Sequence, residues 1–117
     1  MKAIPSELNL DALIGQRLMH ISLAEHNLQF HFEESISIQG DGTVTVIKGG
    51  IEKRMNGDNG LFDSSPVAEI LSKTVVSWEK KSSHCLSISL ENDTTLLFTS
   101  EDSPYEDFIV EPIGIVW

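Results

Sequence analysis

The sequence has a single cysteine, Cys85, so an internal disulfide bond is excluded. A lone thiol fits a reducing compartment. The chain also lacks any apolar run that approaches the length of a membrane-spanning helix. Its first seven residues carry no long apolar stretch after the basic residue, so the pattern does not predict a signal peptide. We therefore expect a cytoplasmic protein.

Basic residues are scarce, because 8 Lys and Arg stand against 18 Asp and Glu and give a net charge of −10. All of the bases lie at or before Lys81, whereas residues 82–117 contain seven acids and no base. Nucleic-acid binding and anionic membrane binding both depend on basic surface, so the composition argues against these two partner classes. The acid either keeps the protein soluble or forms a face that meets a basic protein.

The sequence is rich in apolar and polar residues that alternate with a period of two, which is typical of half-buried strands. The clearest runs are residues 17–23, 28–32, 35–39, 43–46, 86–90, 96–98 and 113–117. They predict a mainly β protein, α+β at most, with one domain over residues 1–117. We expect an antiparallel meander of about seven to eight strands, as a sandwich or a partly open barrel, with two short helical turns.

Turn positions predict how the first strands pair. A turn at residues 25–26 sets Ile21 opposite Phe30, and the next turn sets Phe30 opposite Ile38. A turn at residues 40–42 sets Ile38 opposite Val44 in the same way. Because all of these pairs are apolar, the register predicts one apolar face shared by four strands.

A short helical turn is expected before the strands of each half. The first has Asn9 as its cap and Gly15 as its end, and the second begins at Ser65 with Pro66 in its first position. The apolar positions that follow recur after about 57 residues. Residues 9–48 and 65–100 are therefore either two pseudo-repeats, followed by a closing segment 101–117, or unrelated hairpins that look alike because all hairpins alternate.

Four segments together resemble a known family: residues 13–18 (LIGQRL), 71–75 (LSKTV), 86–90 (LSISL) and 105–108 (YEDF). Their arrangement covers nearly the whole chain and resembles a family of small, uncharacterised, β-rich bacterial domains. Some members of that family are similar to immunity proteins encoded beside polymorphic or contact-dependent toxins. The resemblance implies a β-rich fold and a protein partner, and it carries over no catalytic residues.

One pair of residues has the spacing of metal ligands. The predicted register sets His20 opposite His31 on the polar face, and directly opposed side chains lie about 5 Å apart at Cβ. Two imidazoles at that distance can share Zn²⁺, Ni²⁺ or Cu²⁺, with Glu33 as an oxygen donor. The alternative is a pair of ordinary surface histidines, because the pattern supplies no further ligand.

No other pattern assembles a catalytic set or a cofactor motif. Adjacent strand residues point to opposite faces, so His84 is badly placed to activate Cys85. The glycine-rich connection over residues 49–65 lacks the spacing of calcium and phosphate loops. We therefore expect no enzymatic activity and no cofactor.

The leading functional hypothesis is a protein-binding domain, most specifically an immunity protein that neutralises a basic toxin through an acidic surface. The residues assigned to that surface are Glu101, Asp102, Glu106 and Asp107, with the connection 49–65 as a second contact region. The first alternative is a structural protein that forms a homodimer or larger homo-oligomer through its edge strands. The second is a metal- or small-ligand-binding module that uses His20 and His31.

Overall fold

The structure, a computed structural model, describes residues 3–6, 8–24, 27–55, 67–100, 108–112 and 114–117. The strands in these residues are β1 (Leu18–Ala24), β2 (Asn27–Phe32), β3 (Ser37–Gly40), β4 (Thr43–Lys48), β5 (Ile51–Arg54), β6 (Val75–Ser82), β7 (Cys85–Leu90), β8 (Thr94–Thr99), β9 (Phe108–Glu111) and β10 (Ile115–Val116). A 3-10 turn at Asp11–Leu13 precedes β1, and a short helix, α1 (Val67–Ile70), precedes β6.

The strands form two five-stranded antiparallel sheets in a sandwich-like arrangement, with the orders β1-β2-β3-β9-β10 and β5-β4-β8-β7-β6. The mainly β, antiparallel prediction is confirmed, and of the two architectures expected the sandwich is the one found. Each sheet begins with a meander of three consecutive strands, β1–β3 or β6–β8. A hairpin from the other half of the chain, β9–β10 or β4–β5, then completes it.

The predicted pairing of the first three strands is confirmed, because Ile21 lies opposite Phe30 and Phe30 opposite Ile38. The predicted pairing of β3 with β4 is wrong, since Val44 lies opposite Phe98 of β8 instead. The two residues between β3 and β4 carry the chain from one sheet to the other rather than back along the same sheet. Both strands still direct their apolar residues into one interior, so their alternation is the same in either arrangement.

An unbroken series of aromatic rings joins the two sheets through the core. Phe30 of the first sheet meets Phe98 of the second edge to face, with ring centroids 5.2 Å apart. Phe98 meets Phe108 in the same way at 5.6 Å, and Phe108 lies 5.2 Å from Trp117. Edge-to-face pairs add to the energy of burial, so this series is a main tie between the sheets.

The prediction that Asn9 caps the first helical turn is met only in part, because Leu10 occupies the N-cap position and makes no side-chain cap hydrogen bond. The Asn9 side-chain Oδ1 accepts the backbone N–H of Asp11 at 2.8 Å, and Gly15 follows with φ of 90°. The predicted start of the second turn at Ser65 lies outside the described residues, although α1 itself follows at Val67–Ile70.

Matching backbone hydrogen bonds join the two halves where β1 and β6 begin. The N–H of Leu18 donates to the carbonyl of Lys73 at 3.0 Å, and the N–H of Val75 donates to the carbonyl of Gln16 at 2.8 Å. Leu18 and Val75 hold the same place in β1 and β6, and so do the two acceptors in the segments before those strands. The junction therefore has an approximate two-fold relation.

A carboxylate on a following turn repeats this relation. Glu33 Oε1 accepts the backbone N–H of Arg17 at 2.7 Å and the Arg17 Nε–H at 3.3 Å. Glu91 Oε1 accepts the backbone N–H of Thr74 at 3.1 Å, and Arg17 and Thr74 themselves form a bridge between the sheets. The backbone N–H of Arg17, followed by its guanidinium, lowers the pKa of Glu33 below the ordinary value.

The completing hairpins correspond as well. The N–H of Met55, which follows β5, donates to the carbonyl of Val44 at 2.9 Å. The N–H of Trp117, which follows β10, donates to the carbonyl of Phe108 at 3.1 Å, and all four side chains are buried. The two halves thus build the same five-strand unit, while a common origin of their sequences stays a prediction.

Candidate functional site

The two histidines that the sequence paired do lie together. His20 of β1 is the register partner of His31 of β2 on the face that points away from the core. Their ring centroids are 5.4 Å apart with an edge-to-face angle of 62°. The predicted register is therefore right, and the pair sits on the outer face of the first sheet.

Each histidine forms a side-chain hydrogen bond with a residue two positions away on its own strand. His20 Nε2 shares a hydrogen bond of 2.8 Å with Ser22 Oγ, and His31 Nε2–H donates to Gln29 Oε1 at 3.1 Å. Glu33, the proposed oxygen donor, binds the junction instead. Within the described residues no group of three or more His, Cys, Asp and Glu side chains is placed to hold a metal ion. The metal role of the pair stays a prediction.

The acids assigned to a partner surface, Glu101, Asp102, Glu106 and Asp107, lie outside the described residues. The connection over residues 49–65 is described as far as residue 55. That part holds β5, which has no alternating pattern, and the fully buried Met55. The connection is thus partly a strand that the sequence reading missed.

The edge strand β1 differs from the other long edge strands in having no charge. The edges of the two sheets are β1, β5, β6 and the two-residue β10. β5 contains Glu, Lys and Arg, and β6 contains Glu and two Lys, whereas β1 reads LMHISLA. Proteins place charges on edge strands to prevent pairing with other chains. An uncharged edge with Met19 and Leu23, 49% and 41% exposed, favours such pairing.

Three further exposed apolar residues stand at the start of β1 and β6. Gly15 N–H binds the carbonyl of Val75 at 2.8 Å, and Ser72 N–H binds the carbonyl of Leu18 at 2.8 Å. These bonds bring the segment of Ile14 to that of Val76, and the segment of Leu71 to β1. We call Ile14, Met19, Leu23, Leu71 and Val76 the apolar edge. All five side chains are exposed.

The face beside the apolar edge is polar, and β1, β2 and β3 contain no Asp, Glu, Lys or Arg. On the outer side of β1, β2 and β3 the side chains are His20, Ser22, Gln29, His31, Ser37 and Gln39. Gln39 Nε2–H donates to Ser37 Oγ at 3.0 Å, which repeats the along-strand bonds of the two histidines. The acids of the described residues lie in turns, in the two short helical segments, on the edge strands β5 and β6, and at the end of β9, where Glu111 is the register partner of Ser37. A protein partner that covers β1 and β2 on this face would have no carboxylate of these two strands to desolvate.

The sequence reading missed the apolar edge because edge position depends on topology. One signal was present: Ile14 and Leu71, like Met19 and Val76, occupy corresponding places in the two halves, and all are apolar. This recurrence of apolar residues in both halves indicates a shared structural feature where β1 and β6 begin.

No helix among the described residues has the length and apolar character needed to cross a bilayer. Comparison with known proteins adds no relative: no protein-family description, no curated protein and no solved structure matches this chain.

Proposed function

We propose that this protein is a non-enzymatic protein-binding domain that docks its partner on the apolar edge. The observation that carries the proposal is that the edge strand β1 contains no Asp, Glu, Lys or Arg and exposes the side chains of Met19 and Leu23. An added strand from a partner would pair with the backbone of β1, and Met19 and Leu23 would supply apolar contact. The uncharged outer face would extend the interface.

We further propose that the partner is a basic toxin and that the protein acts as its immunity protein in the cytoplasm. The net charge of −10 and the base-free segment 82–117 support a basic partner. The resemblance to immunity-type domains supports the toxin. In this scheme the acids at 101, 102, 106 and 107 accelerate encounter, and the apolar edge provides the docked contact.

The test measures binding to the purified product of the adjacent reading frame. Leu23→Lys places a charge on the apolar edge and should weaken binding at least about tenfold, mainly through faster dissociation. Ser83→Lys adds the same charge in an exposed turn after β6 and should leave dissociation unchanged.

A second arm separates the electrostatic step. Replacing Glu101, Asp102, Glu106 and Asp107 by Gln and Asn should slow association about tenfold at low salt and much less at high salt. No complex at any salt, or equal losses from Leu23→Lys and Ser83→Lys, would refute the proposal.

The same uncharged edge favours one second candidate, a homodimer formed by pairing of β1 with β1 of another copy. Light scattering after gel filtration distinguishes the two. A dimer that Leu23→Lys converts to a monomer, and that Ser83→Lys leaves intact, supports self-association. A monomer at high concentration rejects it.

A further inference from the structure

A charged cleft lies where the β4–β5 hairpin meets α1. Its described lining consists of Lys48, Ile51 and Lys53 of the hairpin and Glu69 of the helix, and its volume is about 190 Å³. The alternation of the strands places both lysines on the same side of the sheet as the buried Val46. Both lysine side chains are exposed, so their aliphatic stems lie on the core side of the sheet while their ammonium groups remain in solvent.

A third lysine stands beside this cleft. Lys73 Nζ donates to Thr94 Oγ1 at 3.0 Å, and Thr94 is the register partner of Lys48. Burial, and next the like charge of Lys48, lower the pKa of Lys73 below the ordinary value. The like charges of Lys48 and Lys73 repel each other, and an anion bound between the two ammonium groups would reduce the repulsion.

The local balance of charge differs from that of the whole chain. Lys53 Nζ lies 3.1 Å from Glu69 Oε1, and Glu69 and Glu91 both act on Lys73. Among the described residues at the cleft, the ammonium groups of Lys48, Lys53 and Lys73 therefore stand against the carboxylates of Glu69 and Glu91, in a protein whose net charge is −10. Neither carboxylate accepts a hydrogen bond from Lys73, whose Nζ–H donates instead to the neutral Thr94 hydroxyl.

The other half of the fold provides an internal comparison. The places that Glu69, Lys73 and Thr94 occupy before β6 and in β8 correspond to Ala12, Gln16 and Ile36 before β1 and β3. The β4–β5 hairpin corresponds to the β9–β10 hairpin, because Val46 pairs with Lys53 as Val110 pairs with Ile115. In this alignment Lys48 corresponds to Pro112 and Lys53 to Ile115. The same backbone thus forms without these charges, so the fold does not require them.

We propose that this cleft binds a small ligand through a phosphate group, with Lys48 and Lys73 contacting its oxygens. Lysine binds phosphate as a point charge, and a doubly charged phosphate matches two adjacent ammonium groups. Lys53 joins them when it exchanges its bond to Glu69 for one to the ligand. The volume is below the roughly 300 Å³ of pockets for drug-sized ligands, so the ligand is a phosphorylated compound of a few atoms. Ile51 offers contact to its organic part.

The first experiment titrates inorganic phosphate and, separately, methyl phosphate into the unaltered protein at constant ionic strength. Amide shifts in NMR spectra should saturate and should centre on Lys48, Ile51, Lys53 and Thr94. Tighter binding of methyl phosphate would identify a phosphate ester as the ligand class, and equal binding would identify phosphate itself. Unsaturable or scattered shifts for both probes would overturn the proposal.

The second experiment compares charge-matched variants by calorimetry. Lys48→Gln with Lys73→Gln should weaken phosphate binding at least about tenfold, because each removes a charge-assisted hydrogen bond. Lys80→Gln with Lys81→Gln removes the same charge from β6 and should change affinity less than about twofold. Equal losses in both double variants would show general charge attraction and would overturn the proposal.

A third variant is expected to bind phosphate more tightly, a result that a misfolded protein would not give. Glu69→Gln removes the carboxylate that competes for Lys53 and should tighten phosphate binding about threefold or more. Glu52→Gln, on the opposite side of β5, removes the same charge and is the control. Weaker or unchanged binding in Glu69→Gln would reject the role given to Lys53.

Discussion

Ser72 has a backbone conformation that favours glycine, and replacing it with glycine should stabilise the protein. Its φ is 69°, and it corresponds to Gly15, whose φ is 90°. Each residue donates its N–H across the junction, Ser72 to Leu18 and Gly15 to Val75. The two positions therefore have the same conformation and the same kind of hydrogen bond but different residues. Ser72→Gly and Gly15→Ser thus form a matched pair of tests.

The magnitude follows from two opposed terms. An L-residue in the left-handed region costs about 1–2 kcal/mol relative to its ordinary conformation, and glycine does not bear this cost. Glycine also gains freedom in the unfolded chain, which offsets about 0.4–1 kcal/mol. Ser72 is exposed, so loss of its side chain removes no packing. We expect Ser72→Gly to raise the free energy of unfolding by about 0.5–1 kcal/mol.

Gly15→Ser should have the opposite effect, a loss of about 0.5–1.5 kcal/mol. A Cβ at Gly15 would meet no atom within 4 Å, so the expected loss comes from backbone strain rather than a clash. Urea unfolding followed by Trp fluorescence measures the free energy of unfolding of both variants. In thermal unfolding, the combined difference of about 1–2.5 kcal/mol should separate their melting temperatures by roughly 4–12 °C. Changes of the same sign in the two variants, or a less stable Ser72→Gly, would refute the reasoning.

The remaining predictions concern charge, packing and metal. The folded-state pKa of Glu33 is lowered, so its contribution to the free energy of unfolding is present above the ordinary pKa of 4.5 and is lost as pH falls through the folded value. Glu33→Gln should therefore be less stable than the unaltered protein at pH 7. The difference in unfolding free energy, measured with urea, should close toward pH 3. The folded-state pKa of Lys73 is also lowered, so the unfolded chain holds this proton longer and stability should rise, relative to Lys73→Met, as pH approaches 10.5. Phe98→Ala should cost about 3–5 kcal/mol in unfolding free energy, because this buried ring joins the two sheets. Excess Zn²⁺ should raise the melting temperature if His20 and His31 share an ion, and His31→Gln should abolish the rise; no rise in the unaltered protein rejects the metal.

The fold was predictable where short turns fixed the register. The pairing from β1 to β3 follows from alternation plus two turns, and it includes the opposed histidines. The same rule failed at Asp41 and Gly42, because a two-residue link reverses a strand or carries it into the facing sheet with identical alternation. β5 was missed since its sequence, IEKR, is exposed at every position and has no period of two.

The candidate sites were less predictable than the fold because they depend on topology. Nothing in LMHISLA marks β1 as an edge until the sheet order is known. The cleft gathers Lys48, Lys53 and Lys73 from three segments. The sequence places Lys53 in the connection 49–65, a predicted partner-contact region, but it predicts no ligand site from the three lysines. Single-residue patterns report local periodicity, whereas these sites arise from contacts distant in sequence.

The two-fold relation separates residues that the fold needs from residues that it does not. Where both halves need the same contact, they keep the same chemistry: Glu33 and Glu91 each cap a junction N–H, and buried apolar residues close both hairpins. Where the halves differ in chemistry at corresponding places, one half shows that the backbone forms without the feature. The lysines of the cleft meet that criterion, since their counterparts are uncharged. Four residues of the apolar edge do not, because Ile14 recurs as Leu71 and Met19 as Val76, so their variants must be tested for stability as well as for binding. Leu23 does meet the criterion, since its counterpart on β6 is Lys80.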